Sequence, residues 1–161
     1  MKTSLLIVFL CVLTACATAP KLNLQNIDKT VMPQNVVDDV EVHKSKKILW
    51  GGAIVRSQNL SQNTLIEILA YPLSSNLKPK IKAKPMRRFL AEFPGYLETV
   101  DFSPGRLITI TGTVNGLQSG SIGEASYIYP FVKIDEKHLW SIESAESESN
   151  VHFGFGIMIS N

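Results

Sequence analysis

The chain has 161 residues, 45% of them hydrophobic and 19% charged, which suits one packed domain with a leader and leaves no room for two full cores. Its 16 basic and 14 acidic side chains give a net charge of +2, and so small a basic excess excludes a dedicated nucleic-acid binder. Two cysteines allow at most one disulfide.

In chain order the first element is a leader over residues 1–15. Lys2 supplies a short positive region, and Leu5 to Leu13 runs without a polar side chain. That is the pattern of a secretory signal peptide. The run falls well short of the roughly 20 residues a spanning helix needs. It ends Leu13-Thr14-Ala15-Cys16, which resembles the lipobox of bacterial lipoproteins, where small residues precede a cysteine that becomes the new N-terminus. Cleavage there removes Lys2 and Cys11, so the disulfide option disappears. The lipobox resemblance implies that Cys16 carries an S-diacylglycerol and an N-acyl group, a covalent lipid in place of any cofactor. One acyl chain holds a protein to a membrane only marginally, whereas two or more hold it stably. Ala17 stands where an aspartate would signal retention in the inner membrane, so by the same resemblance the destination is the outer membrane. Residues 16–34 then read as acylated N-terminus and tether, with Pro20, Pro33 and several amide side chains and no regular period.

Residues 35–161 carry the pattern of a folded domain built from short strands. The best candidates are Lys47 to Val55, Thr64 to Tyr71, Arg106 to Val114, Ser126 to Val132 and Val151 to Ile159. Each is rich in β-branched or aromatic residues and bounded by Gly, Pro, Asn or Ser. Short helices fit near Val36 to His43 and Met86 to Glu92. Gly51, Gly52, Gly112, Gly154 and Gly156 fall inside strand candidates, where glycine permits bulges and close backbone approach. The expected fold class is therefore mainly all-β: a small, closed or partly open antiparallel barrel, OB-like, with short helices. A two-sheet sandwich is the alternative on pattern alone.

Several blocks resemble the Slp family of starvation-inducible outer-membrane lipoproteins of Gram-negative bacteria. They are Leu49-Trp50-Gly51-Gly52-Ala53-Ile54, Thr64 through Leu73, Arg88-Phe89-Leu90-Ala91, and Gly105 through Gly112. Ile122-Gly123-Glu124, Tyr127, Tyr129-Pro130 and His138-Leu139-Trp140 complete the set over roughly residues 30–160. Arg87 departs from the pattern, standing where a glycine commonly precedes the Arg-Phe pair. The resemblance implies a lipid-anchored protein on the periplasmic face of the outer membrane, associated with starvation and envelope stress. It brings no catalytic residues.

No catalytic constellation is expected from the residues either. His43, His138 and His152 lack metal-ligand spacing, so no metal is expected. Ser119 and Ser121 flank Gly120 in what reads as a Gly/Ser turn, not a nucleophile elbow. Glu67, Asp101 and Glu124 would work as paired carboxylates only if folding gathered them.

Two surface features invite a binding role. Lys78, Lys80, Lys82, Lys84, Arg87 and Arg88 form a basic run without an acid between them, and an extended backbone would place the four lysines on one side. They form a candidate patch for an anionic envelope component or another envelope protein; edge-protecting lysines and prolines explain the same run without a ligand. Opposed to it are Asp135, Glu136, Glu143, Glu146 and Glu148. Tyr127, Tyr129 and Phe131 recur on one strand face, a pattern expected mainly of barrel filling, with base or sugar stacking as the functional alternative. The leading expectation is a non-enzymatic structural or binding lipoprotein, partnered by the membrane and not by nucleic acid. A small integral outer-membrane β-barrel and an envelope hydrolase are the alternatives.

Overall fold

The computed structural model describes residues 19–141. Cys16, the Val151 to Ile159 strand candidate, His152, Glu143, Glu146 and Glu148 lie outside them. Two short helices precede the sheet, α1 (Pro33–Asp38) and α2 (Val40–His43). Pro33 at the first position of α1 fits the fixed φ of proline, and the Asn35 side chain accepts the Met32 N–H at 2.8 Å. The Asp39 carboxylate caps α2 by accepting the Val42 N–H at 3.2 Å.

Five strands follow: β1 (Lys47–Asn59), β2 (Asn63–Ala70), β3 (Arg88–Pro94), β4 (Leu107–Ile122) and β5 (Ala125–Leu139). They close into a ring in the order β1-β2-β3-β5-β4. Strand β4 returns beside β1 after the β1-β2-β3 meander, the Greek-key arrangement expected of an OB-like barrel. The ring corrects the all-antiparallel expectation at one seam, because β3 and β5 run parallel over Leu90–Glu92 opposite Phe131–Lys133. The segment assigned a helix near Met86 to Glu92 is mostly β3. Its Phe89 and Ala91 join the core, Leu90 between them is also buried, and pairing with β2 and β5 overrides local helix propensity.

The barrel interior is filled from all five strands. Ile48, Trp50 and Ile54 of β1 meet Ile66, Ile68 and Ala70 of β2, Phe89 and Ala91 of β3, Ile108, Ile110 and Val114 of β4, and Val132 and Ile134 of β5. The Trp50 and Phe89 rings pack edge to face at 5.1 Å. At one end Val31 and Val36 enter the core, and at the other Leu97 and Phe102 of the β3–β4 loop do so. The inside is thus apolar while Arg56, Lys133 and Lys47 sit on the outside, the reverse of a membrane-spanning barrel with its lipid-facing apolar band and polar lumen. This polarity argues against the integral outer-membrane barrel considered from sequence.

Closure depends on missing side chains. A Cβ at Gly52 would lie 2.0 Å from the Leu69 carbonyl oxygen, and one at Gly112 would lie 2.5 Å from that of Lys133. Gly52 and Gly112 are therefore where neighbouring strands press together, while Gly154 and Gly156 lie outside the described residues.

Residues 27–33, expected from composition to be tether, lie against the barrel. Ile27 bridges Lys47, Val31 is buried, and the Trp50 Nε1–H donates to the Val31 carbonyl at 2.7 Å.

Candidate functional site

Beyond the ring, β4 and β5 continue together as a two-stranded arm, pairing Gly116–Ile122 with Ala125–Phe131. Ser119, Gly120 and Ser121 belong to this arm, and the turn expected there is instead at Gly123, whose φ of +59° suits glycine. Gly and Ser on the β4 side of the ribbon give that stretch little apolar character, which is why it resembled a loop.

The arm's aromatic residues do not fill the barrel. Tyr129 is buried against the outer surface, with Tyr127 tilted across it at 4.6 Å between ring centroids. Gly120 makes room for the Tyr129 ring, since a Cβ there would approach it to 3.0 Å. Beneath lies Glu67, an outward-facing residue of β2 that is nevertheless only 5% exposed. Its Oε1 lies 2.8 Å from Arg88 Nη1 and its Oε2 lies 3.3 Å from Arg56 Nη2. The Tyr129 hydroxyl lies 3.3 Å from Glu67 Oε1 and 3.0 Å from the Ser121 carbonyl. Burial first, then the neighbouring Glu67 carboxylate, raises the Tyr129 pKa above its ordinary value. Register explains the cluster: Arg56 is directly opposite Glu67 on β1, and Arg88 is its diagonal neighbour on β3, opposite Leu69.

This geometry divides the basic run. Arg88 is committed to Glu67. Arg87 stacks over the Tyr127 ring at 4.5 Å and donates to the Ile128 carbonyl from Nη2 at 2.9 Å and Nε at 3.3 Å. Lys78 lies over the Trp140 ring at 5.8 Å. The remaining lysines, Lys80, Lys82 and Lys84, are exposed. They do not lie along one extended face, because the Ala83 N–H donates to the Lys80 carbonyl at 2.9 Å and turns the chain. Proline and the compact turn, rather than side-chain alternation, set the local backbone. The turn leaves Ile81 half exposed between Lys80 and Lys82.

The rest of the β2–β3 loop is held firmly. The Lys80 N–H donates to the Pro72 carbonyl at 2.9 Å, Ser74 bonds Lys78 through backbone and side chain, and Thr109 Oγ1 donates to the Leu77 carbonyl at 2.7 Å. Gly51, lacking a side chain, admits Leu73 against β1.

At the loop's return, Met86 and Arg87 face the start of α1 across a surface recess of about 400 Å³ that Met32, Pro33, Gln34 and Tyr127 also line. Sequence reasoning missed this recess, whose lining comes from three segments far apart in the chain. Glu67, considered as a catalytic carboxylate, is instead surrounded by cations, while Asp101 lies in the β3–β4 loop and Glu124 at the arm's tip. Of the acidic stretch, Asp135 is 3.7 Å from Lys47 and Glu136 accepts the Asn23 N–H at 2.8 Å. Among the described residues, no three His, Cys, Asp or Glu side chains gather as metal ligands.

The chain matches the family model described as the outer membrane lipoprotein Slp family over residues 13–157. It is 32% identical over 151 residues to an uncharacterized protein of Haemophilus influenzae, covering 89% of this chain and 79% of that one. It is 29% identical over 163 residues to outer membrane protein Slp of Escherichia coli, covering 96% and 84% respectively. A third relative, the uncharacterized lipoprotein YeaY of Escherichia coli, is 28% identical over 138 residues, 83% of this chain and 69% of its own. No solved structure matches the chain.

Proposed function

The chain belongs to the outer membrane lipoprotein Slp family, and from that premise we propose that it is a non-enzymatic binding module that serves the envelope under starvation stress. Acyl chains on Cys16 hold it to the outer membrane with the barrel facing the periplasm. The β2–β3 loop then contacts anionic envelope material. One observation carries this reading: the Lys80–Ala83 turn raises a half-exposed isoleucine among exposed lysines. An apolar tip that enters an interface, ringed by cations that meet anionic headgroups, is how peripheral proteins hold a membrane surface. With a Debye length of about 8 Å at physiological salt, the lysines act only on material close to the loop. The reading places the contact at the exposed Lys80, Lys82 and Lys84; Lys78, Arg87 and Arg88 face other groups of the fold and take no part in the loop-tip contact.

The test uses the mature chain with Cys16→Ser, made without its leader, and sedimentation with phospholipid vesicles. Binding is expected to vesicles rich in phosphatidylglycerol but not to pure phosphatidylcholine. It should weaken with added salt and with the pair Lys80→Ser and Lys84→Ser. Equal binding to both vesicle types, or none to either, contradicts the reading.

A further inference from the structure

We propose that the recess between the start of α1 and the return of the β2–β3 loop is a binding site for a single-chain anionic amphiphile, such as a fatty-acid carboxylate. The inference goes beyond the contact assigned to the loop tip and stands on different side chains. The lining is Met32, Pro33, Gln34, Met86, Arg87 and Tyr127, around a volume of about 400 Å³. That lies within the range of small-molecule sites, roughly 300–1,000 Å³.

The chemistry of the lining selects the ligand. Two methionines and a proline offer an apolar wall, and unbranched thioether side chains adapt to flexible hydrocarbon. Met86 packs against the core from below, while Met32 forms an exposed lip at 42% accessibility. The lining holds one cation and no carboxylate, so an incoming anion would meet Arg87 without a competing internal partner.

Arg87 is also held in place before any ligand arrives. Its Nε and Nη2 donate to the Ile128 carbonyl, its Nη1 donates to Gln34 Oε1 at 3.3 Å, and its guanidinium carbon lies 4.5 Å from the centre of the Tyr127 ring. These contacts use three of the five guanidinium N–H bonds. The other two remain for a carboxylate or phosphate oxygen, and a preoriented guanidinium binds such groups with little loss of side-chain freedom. A hydrocarbon chain against the methionines with its anionic head at Arg87 satisfies both halves of the site.

The probe is dansyl-undecanoate, titrated below its micelle concentration into the mature Cys16→Ser chain and displaced by laurate. Saturable 1:1 binding is expected, with laurate displacing the probe and dodecanol at least about ten-fold weaker, because it leaves the cation unpaired. Met32→Glu should place a carboxylate at the lip and weaken laurate at least about ten-fold, with an unchanged thermal midpoint and unchanged vesicle sedimentation. Conversely, Lys80→Ser with Lys84→Ser should leave laurate affinity unaltered. Absence of saturable binding, equal affinity for dodecanol, full affinity in a folded Met32→Glu chain, or equal weakening by the loop-tip pair would each overturn the assignment. The recess and the loop tip can thus fail separately.

Discussion

Glu67 and Arg88 meet on the outside of the barrel at 2.8 Å, beneath an arm whose Tyr129 closes over them. The carboxylate side chain is 6% exposed and Arg88 29%, so the pair is partly withdrawn from water. Removing the cation leaves a buried carboxylate with the more exposed Arg56 as its remaining cation and the Tyr129 hydroxyl at 3.3 Å. Breaking such a pair costs about 3–5 kcal/mol, and the partial exposure here favours the lower end. Arg88→Met should therefore destabilise the fold by about 3 kcal/mol in urea unfolding. The double change Glu67→Leu with Arg88→Met should recover most of that loss, since desolvation of both charges disappears with them.

Closure of the ring at β1 and β2 gives a second prediction. Gly52→Ala would force a Cβ into the Leu69 carbonyl, which is backbone and cannot rotate away. A loss of at least about 3 kcal/mol is expected from strand displacement. Gly95→Ala meets open space but at φ +85°, and should cost only about 1–2 kcal/mol in thermal or urea unfolding.

Tyr129 and His138 each contribute a pH slope; the Lys137 pKa, lowered by burial, contributes a slope opposite to that of Tyr129 below pH 10.5, which a comparison with Tyr129→Phe subtracts. The Tyr129 pKa is raised above 10.0 chiefly by burial, so above pH 10 the unfolded chain ionises first and stability falls as pH rises. Tyr129→Phe should reduce that alkaline slope. The His138 pKa is lowered below 6.5 by burial, so as pH falls below 6.5 the unfolded chain takes up the proton first and stability drops. Urea midpoints measured across both windows check the two slopes.

How much of this was legible beforehand depends on the range of the interactions. Ile48, Trp50, Ile66 and Ile68 alternate with outward residues, so β1 and β2 could be read locally, and Gly51 and Gly52 marked a close approach. Strand β3 was obscured because Met86 through Glu92 has no helix-breaking residue, and only pairing with β2 and β5 decides it. The β5 half of the arm was legible as the strand Ser126 to Val132, but its β4 half was obscured for the opposite reason, as Gly116, Ser119 and Gly120 carry no strand preference and are held by partners across the hairpin. At the site, the run from Lys78 to Arg88 was visible as charge, but its division was not. Glu67, 21 residues from Arg88 and 62 from Tyr129, withdraws one arginine, and Ile128 withdraws the other.

Lipid anchoring of this barrel at the outer membrane is checked by radiolabelled palmitate incorporation. Wild-type and Cys16→Ala chains would be expressed in a Gram-negative host, labelled, and separated into outer-membrane and soluble periplasmic fractions. The wild-type chain should be labelled and in the outer membrane, and the Cys16→Ala chain unlabelled and lost from that fraction. An unlabelled wild-type chain, with both forms retained equally in the outer membrane, would contradict lipid anchoring.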